Sequence, residues 1–321
     1  MPRPVEAATA SFQAQFHQRW NYLVDPHVRT LAWLLDAPDL LDPDAPSWHG
    51  RVATLGLVDE QTENWLAALD RSPEKLQAYL GLGPFTRLGR YAEKLMAFYL
   101  EYKGVLHAHG VQVRADKNDT IGEFDFLLRQ DKALVHWEFA TKLYLLEASG
   151  QGCHADYFVG PNLADTLGAK VRKIMDRQLS LSQHPAAQPH LPQPVVAAQA
   201  LVKGWLFYYG QTPLPTSPPG ISRMHCRGFW CPLHELDRLE AEHYIMLSRS
   251  DWLAPAKTVI GRTLNKVSLT ENLRAHFSDE TSPVLVAIMQ PMNGNMLEIN
   301  RGFIVPDDWN KRAGLRVRSG A

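Results

Sequence analysis

One stretch, residues 122–146 (GEFDFLLRQDKALVHWEFATKLYLL), restricts the possible folds of this chain more than any other. Two apolar runs, 121–128 and 133–146, flank the polar Arg129-Gln130-Asp131-Lys132. Their Phe, Val, Leu and Trp residues fit a pleated, buried surface, so the pattern predicts two strands joined by a turn. Each run nevertheless carries a carboxylate, Asp125 in the first and Glu138 in the second. A charge in a buried strand is costly unless it is paired or binds a cation. Strand alternation puts Glu123 with Asp125 on one face, and Glu138, Ala140 and Lys142 on one face of the next strand. Paired as a hairpin, the strands can set Asp125 beside Glu138. Two carboxylates with a backbone carbonyl and waters suit Mg²⁺. Lys142 on that face would balance the charge or touch a phosphate.

Upstream, Phe12, Phe16, Trp20 and Leu23 recur at helical spacing, and Pro26 opens a second helix with Asp25 as its N-cap. Further helices are expected over 62–69 and after Ser72, which reads as a cap. Residues 86–103 form a strong amphipathic helix that carries Glu93. His107, His109 and Gly110 read as its end, and 111–114 as a short strand. From Asp165 the sequence DTLGAKVRKIMDRQLSLS predicts a helix bearing Lys170, Lys173 and Arg177, either a phosphate-facing ridge or a solvated face. A long strand follows over 195–209, with Gly204 as a candidate bulge. Beyond the Pro-rich 210–220, Pro232 reads as the start of a helix through Leu236, Leu239 and Tyr244. Asn293-Gly294 between two apolar runs predicts a hairpin. The tail holds Lys311, Arg312, Arg316 and Arg318, and reads as disordered or as a polyanion contact. HCRGFWCPLH gathers Cys226, Cys231 and His234, which raises zinc against a buried-thiol reading, but the spacing fits no common zinc pattern.

The totals set the broad class. With 321 residues, 45% of them hydrophobic and 21% charged, the chain has ample material for a sizeable core. A formal charge of −1 gives no global basic footprint of the kind that sequence-independent nucleic-acid binders carry. No apolar run is long enough for a bilayer, and the N-terminal residues show no secretory h-region. Three cysteines make no disulfide framework. The expected setting is cytoplasmic, without a membrane.

Gly122-Glu123-Phe124-Asp125, followed by Val135-His136-Trp137-Glu138, resembles the paired motif strands of the PD-(D/E)XK nuclease superfamily, over roughly 85–209. The chain as a whole resembles a bacterial family of uncharacterised proteins, domain of unknown function 1853, placed near that superfamily. The resemblance implies a mixed α+β (α/β) fold with a restriction-endonuclease-like αβββαβ core. Its expected limits are a helical region at 1–84, the nuclease-like core at 85–210 and a C-terminal subdomain with the hairpin at 211–321. It also implies Mg²⁺- or Mn²⁺-dependent hydrolysis of DNA or RNA, with Asp125 and Glu138 holding the metal and Lys142 acting on the water or the phosphate. Glu93, on the helix before the first core strand, is the candidate third acid; its bland alternative is a surface pair with Arg90. Lys170, Lys173 and Arg177 are candidate substrate contacts. One position departs from the pattern: the superfamily lysine falls two residues after the glutamate, where this chain has Ala140, and Lys142 lies about 6.6 Å further along the strand. A nuclease-like fold without catalysis, binding nucleic acid or a protein, is therefore the alternative. A third reading is structural, with both acids buried in pairs with Lys142 and an arginine.

Overall fold

A computed structural model describes residues 11–81, 87–115, 120–148, 154–210 and 218–319. Five helices lead: α1 (Phe12–Trp20), α2 (Pro26–Asp36), α3 (Glu60–Arg71), α4 (Glu74–Leu80) and α5 (Leu88–Tyr102). Three strands follow, β1 (Leu106–Arg114), β2 (Thr120–Gln130) and β3 (Ala133–Leu146), then the short β4 (Phe158–Val159). Next come α6 (Leu167–Lys173), running on into a π-helical turn at Ile174–Gln178, and β5 (Val195–Tyr209). The remainder is β6 (Cys226–Pro232), β7 (His243–Met246), β8 (Lys257–Thr258), α7 (Lys266–Asp279), β9 (Val284–Met292), β10 (Asn295–Val305) and α8 (Trp309–Ser319).

The fold is mixed α+β, built on one ten-stranded sheet in the order β1-β2-β3-β5-β6-β10-β9-β7, with β4 beside β3 and β8 beside β10. The pairs β3–β5, β5–β6 and β6–β10 are parallel; the rest are antiparallel. Because β5 is covered on both faces, its sequence is a near-continuous apolar run rather than an alternating one. Leu201, Trp205 and Phe207 point into a core shared with Trp20, Trp33 and Leu95 of α1, α2 and α5. Ala200, Val202 and Leu206 point the other way, against Leu167, Val171 and Ile174 of α6 and its turn. Further along the sheet, α7 covers that second face through Leu269 and Leu273. The sheet runs without a break from the expected core into the residues beyond 211, since β5 and β6 pair from Trp205↔Cys226 to Tyr209↔Trp230. Among the described residues no helix is long and apolar enough to cross a membrane.

Local chemistry explains most boundaries. The Asp25 carboxylate accepts from the N–H groups of His27 and Val28 and so caps α2, as expected. Asp25→Ala should therefore lower stability by about 1 kcal/mol in urea unfolding; no change would mean that Pro26 alone starts the helix. The Asn293-Gly294 hairpin is present, with both residues at positive φ (52° and 77°). The β2–β3 turn is tighter than expected: Arg129 and Gln130 remain in β2, and Asp131 takes a left-handed φ of 55°. Gly204 pairs with Lys142 in regular register and makes no bulge.

Four expectations fail. Ser72 closes α3, and α4 starts behind Pro73 without a side-chain cap. His107 and His109 lie within β1, which begins at Leu106, because strand pairing with β2 outweighs their weak propensity. Pro232 ends β6; a single short 3₁₀ turn, Leu233–Arg238, follows, and Tyr244 sits on β7, paired with Ile288. The basic tail is not disordered: it is the helix α8, anchored by buried Trp309 and Ala313, with the Trp309 indole donating to the Pro161 carbonyl at 2.7 Å.

Candidate active site

The β2–β3 ladder runs from Gln130↔Ala133 to Phe126↔Trp137 and stops there. Beyond that point β3 continues along β5, while β2 pairs only with β1. Asp125 and Glu138 are the first residues past the fork on their respective strands. The opening leaves the Phe139 N–H without a partner on β2, and the Asp125 carboxylate accepts it at 2.9 Å. Phe126 packs in the N-terminal core while Phe124 joins Leu127 and Leu134 in a separate cluster, so the even alternation of β2 lapses at Asp125. The two acids expected to converge are thus brought together, and by the divergence of their strands.

Burial sets the electrostatics. It pushes the Asp125 carboxyl up to about 7, with repulsion from Glu138 adding to the rise and the Phe139 N–H opposing it. Glu138 is pushed up to about 8, again chiefly by burial, while hydrogen bonding with Asp125 and Gln178 holds it back. Such neighbours titrate as a pair sharing a proton. Glu93 reaches the fork from α5: burial, then the charges of Asp125 and Glu123, raise it to about 7. Arg90 pulls Glu93 only weakly, and among the described residues the two form no ion pair. Four acids, Glu93, Glu123, Asp125 and Glu138, therefore feel one another.

Glu138 is held from two sides. His136 Nε2 lies 2.8 Å from its Oε1, and Gln178 donates to Oε2. Burial lowers His136 to about 4, so at neutral pH it is uncharged, and its Nε2 and Glu138 Oε1 share one proton between them. Its Nδ1 is buried with no hydrogen-bond partner among the described residues. Neither His136 nor Gln178 was picked out from the sequence. His136 carried a usable signal, a polar residue two before Glu138 in an apolar strand. Gln178 carried none, since its approach depends on the π-turn, which shifts the end of α6 out of α-helical phase.

Lys142 lies on the same face of β3 as Glu138, because the pairing with β5 is regular from Val135 onward. Among the described residues its amine makes no hydrogen bond or ion pair. Burial lowers it to about 8, nearby Lys170 and Lys173 push the same way, and Asp165 and Asp125 oppose them. Lys170 and Lys173 of α6 are therefore grouped with Lys142. Arg177 is not among the charges that bear on Lys142. Among the described residues neither acid meets Lys142 or an arginine in an ion pair, which counts against the paired-acid structural reading.

The donor set is all hard oxygen, which fits Mg²⁺ or Mn²⁺ better than a softer ion. Among the described residues, though, no three His, Cys, Asp or Glu side chains form a ready-made metal cluster. The zinc alternative at Cys226, Cys231 and His234 fails outright. Cys226 faces the N-terminal core and Cys231 the opposite side of the sheet, both as buried free thiols. His234 is taken by Asp307 at 2.9 Å.

No curated protein and no solved structure matches the chain. A family model does, over residues 29–305, from within α2 to the end of β10. The chain belongs to that family, described as a domain of unknown function (DUF1853).

Proposed function

We propose that the chain is a divalent-metal-dependent phosphodiesterase acting on DNA or RNA. The observation that carries this reading is the meeting of Asp125 and Glu138 at the first positions past the β2–β3 fork, with Lys142 on the same face of β3. Apart from the two-residue β4, the order α5, β1, β2, β3, α6, β5, with β5 parallel to β3, agrees with the αβββαβ arrangement of restriction-endonuclease-like folds. Asp125 and Glu138 would hold Mg²⁺ or Mn²⁺, helped by Glu93 and the Phe139 carbonyl. Such an ion, when bound, supplies Lewis acidity toward a phosphoryl oxygen and acidifies water. Mg²⁺ keeps several waters and needs only one or two carboxylates, so a pair suffices. His136 and Gln178 orient Glu138 toward the ion. Lys142, still mostly charged at pH 7, faces charge that develops on the phosphate. Lys170 and Lys173 would follow the backbone on the substrate side.

The test is hydrolysis of plasmid DNA, single-stranded DNA and RNA with Mg²⁺ or Mn²⁺ against EDTA. Metal-dependent cleavage is expected, absent in Asp125→Ala and Glu138→Ala and cut roughly 10²-fold in Lys142→Ala. A wild-type chain no more active than those two variants would remove the reading. Ala140 at the superfamily lysine position favours a second one, a nuclease-like fold that binds nucleic acid or protein without cleaving. Absence of binding heat on titration with millimolar Mg²⁺ and Mn²⁺ would support it.

A further inference from the structure

Away from the carboxylates, a cleft of about 520 Å³ opens between α2 and the segment around β8. Its size falls within the range of small-molecule sites. Arg29, Lys257 and Arg262 line it, with Asp251 as its one acidic residue and Ile245 and Leu247 among its apolar walls. None of the acids or lysines of the candidate active site takes part.

The charges in this cleft are unusual. Arg29 is buried, and its guanidinium donates to three backbone carbonyls: Trp20 at 3.2 Å, Leu23 at 3.4 Å and Pro255 at 2.9 Å. The Lys257 amine donates to the carbonyls of Asn21 at 2.5 Å and Leu23 at 3.4 Å. The two cations thus share the Leu23 carbonyl. Exposed Arg262 makes no side-chain hydrogen bond among the described residues. Among the described residues no carboxylate forms an ion pair with any of the three. The nearest acids are committed elsewhere: Asp251 accepts from Ser248 Oγ, Asp70 from the N–H groups of Val24 and Asp25, and Glu298 from Arg301. Cations in a confined site without counter-charge raise its free energy until an anion enters.

We propose that this cleft binds a small organic phosphate, its phosphoryl group between Arg29, Lys257 and Arg262 and its organic part against Ile245 and Leu247. Three cations and one carboxylate leave a lining charge of +2, as a sum over these side chains. A phosphate monoester carries about −1.5 to −2 at pH 7, which matches it. Burial and the charge of Arg29 both lower the Lys257 pKa, the effect of an unneutralised neighbour that a bound anion would relieve.

The probe is phenyl phosphate, titrated calorimetrically into the full chain in EDTA at constant ionic strength. Saturable binding is expected, weakened at least fivefold in Arg262→Gln and in Lys257→Gln and unchanged in the double variant Lys170→Gln/Lys173→Gln. Among the described residues the exposed Arg262 side chain makes no hydrogen bond or ion pair, so its variant reports binding without loss of fold. No saturable binding by the wild-type chain overturns the proposal, as does wild-type affinity in either cleft variant. Loss of binding in the lysine pair overturns it too, by moving the anion to the carboxylate site. None of these results bears on phosphodiester cleavage.

Discussion

Asp125→Asn should make the metal-free chain more stable at pH 8 and destroy metal-dependent cleavage. Asn keeps the acceptor for the Phe139 N–H and removes a charge that Glu138 repels. The gain is expected to be about 1–2 kcal/mol, a rise of roughly 2–4 °C in Tm for a chain of this size. The pH profile gives the sign independently. An acid whose folded-state pKa lies above its unfolded value holds its proton more tightly when folded. Its contribution is full below the unfolded pKa, near 4, and is lost as pH rises through the folded value, about 7 for Glu93 and Asp125 and about 8 for Glu138. Buried His17, His136 and His225, all lowered to about 4, act oppositely, their contribution being lost as pH falls below about 6.5. Wild-type stability in EDTA should therefore fall between pH 6.5 and 8.5, and less steeply in Asp125→Asn. Magnesium should reverse the ranking, since ligand at 100 times Kd adds about 2.7 kcal/mol to the form that binds it. A variant that melts below wild type at pH 8 in EDTA would assign Asp125 to holding the fold together.

Gly204→Ala should prevent folding or nearly so. A Cβ there would sit 2.1 Å from the Lys142 carbonyl oxygen and 3.0 Å from its carbon. The obstruction is backbone of a central strand, so no side chain can swing away. The cost should exceed the roughly 1–3 kcal/mol of ordinary overpacking. Soluble yield and the urea midpoint report it, and a variant with wild-type midpoint would mean that β3 and β5 separate easily. The same close approach lets β5 lie against β3 at Lys142. A glycine that looks like a mere break in VVAAQALVKGWLFYY thus lets the strand that carries the site pair closely with β5.

The pairing of Asp125 with Glu138 was legible because two charges interrupted apolar runs of strand type. The helices α1, α2, α3 and α5 and the β9–β10 hairpin were legible for the same reason, strong periodicity with caps or turn residues at the ends. Short elements were not. His107 belongs to a strand defined by its pairing with the next strand, β2, and Tyr244 to one defined by the distant β9, and a local reading supplies neither partner. The order of the tail was not legible because four basic residues mask Trp309 and Ala313, which dock it. Within the site, the hold of Gln178 on Glu138 depends on a helix that changes its pitch, and no composition signals that.

The buried Arg301–Glu298 pair, at 2.6 Å, lies within β10, where the N-terminal helices meet the C-terminal part of the sheet. His17 Nε2 lies 3.1 Å from the Glu298 carbonyl, across 281 positions, and Arg29 reaches Pro255 across 226. During synthesis α1 and α2 leave the ribosome more than 200 residues before their polar partners are made. Until then the tryptophans of those helices have no complete core to enter. Such distant closure slows folding and leaves the nascent chain prone to aggregation. Overproduction should accordingly benefit from lower temperature and a chaperone supply, and a piece begun after α2 would lack one wall of its own interior.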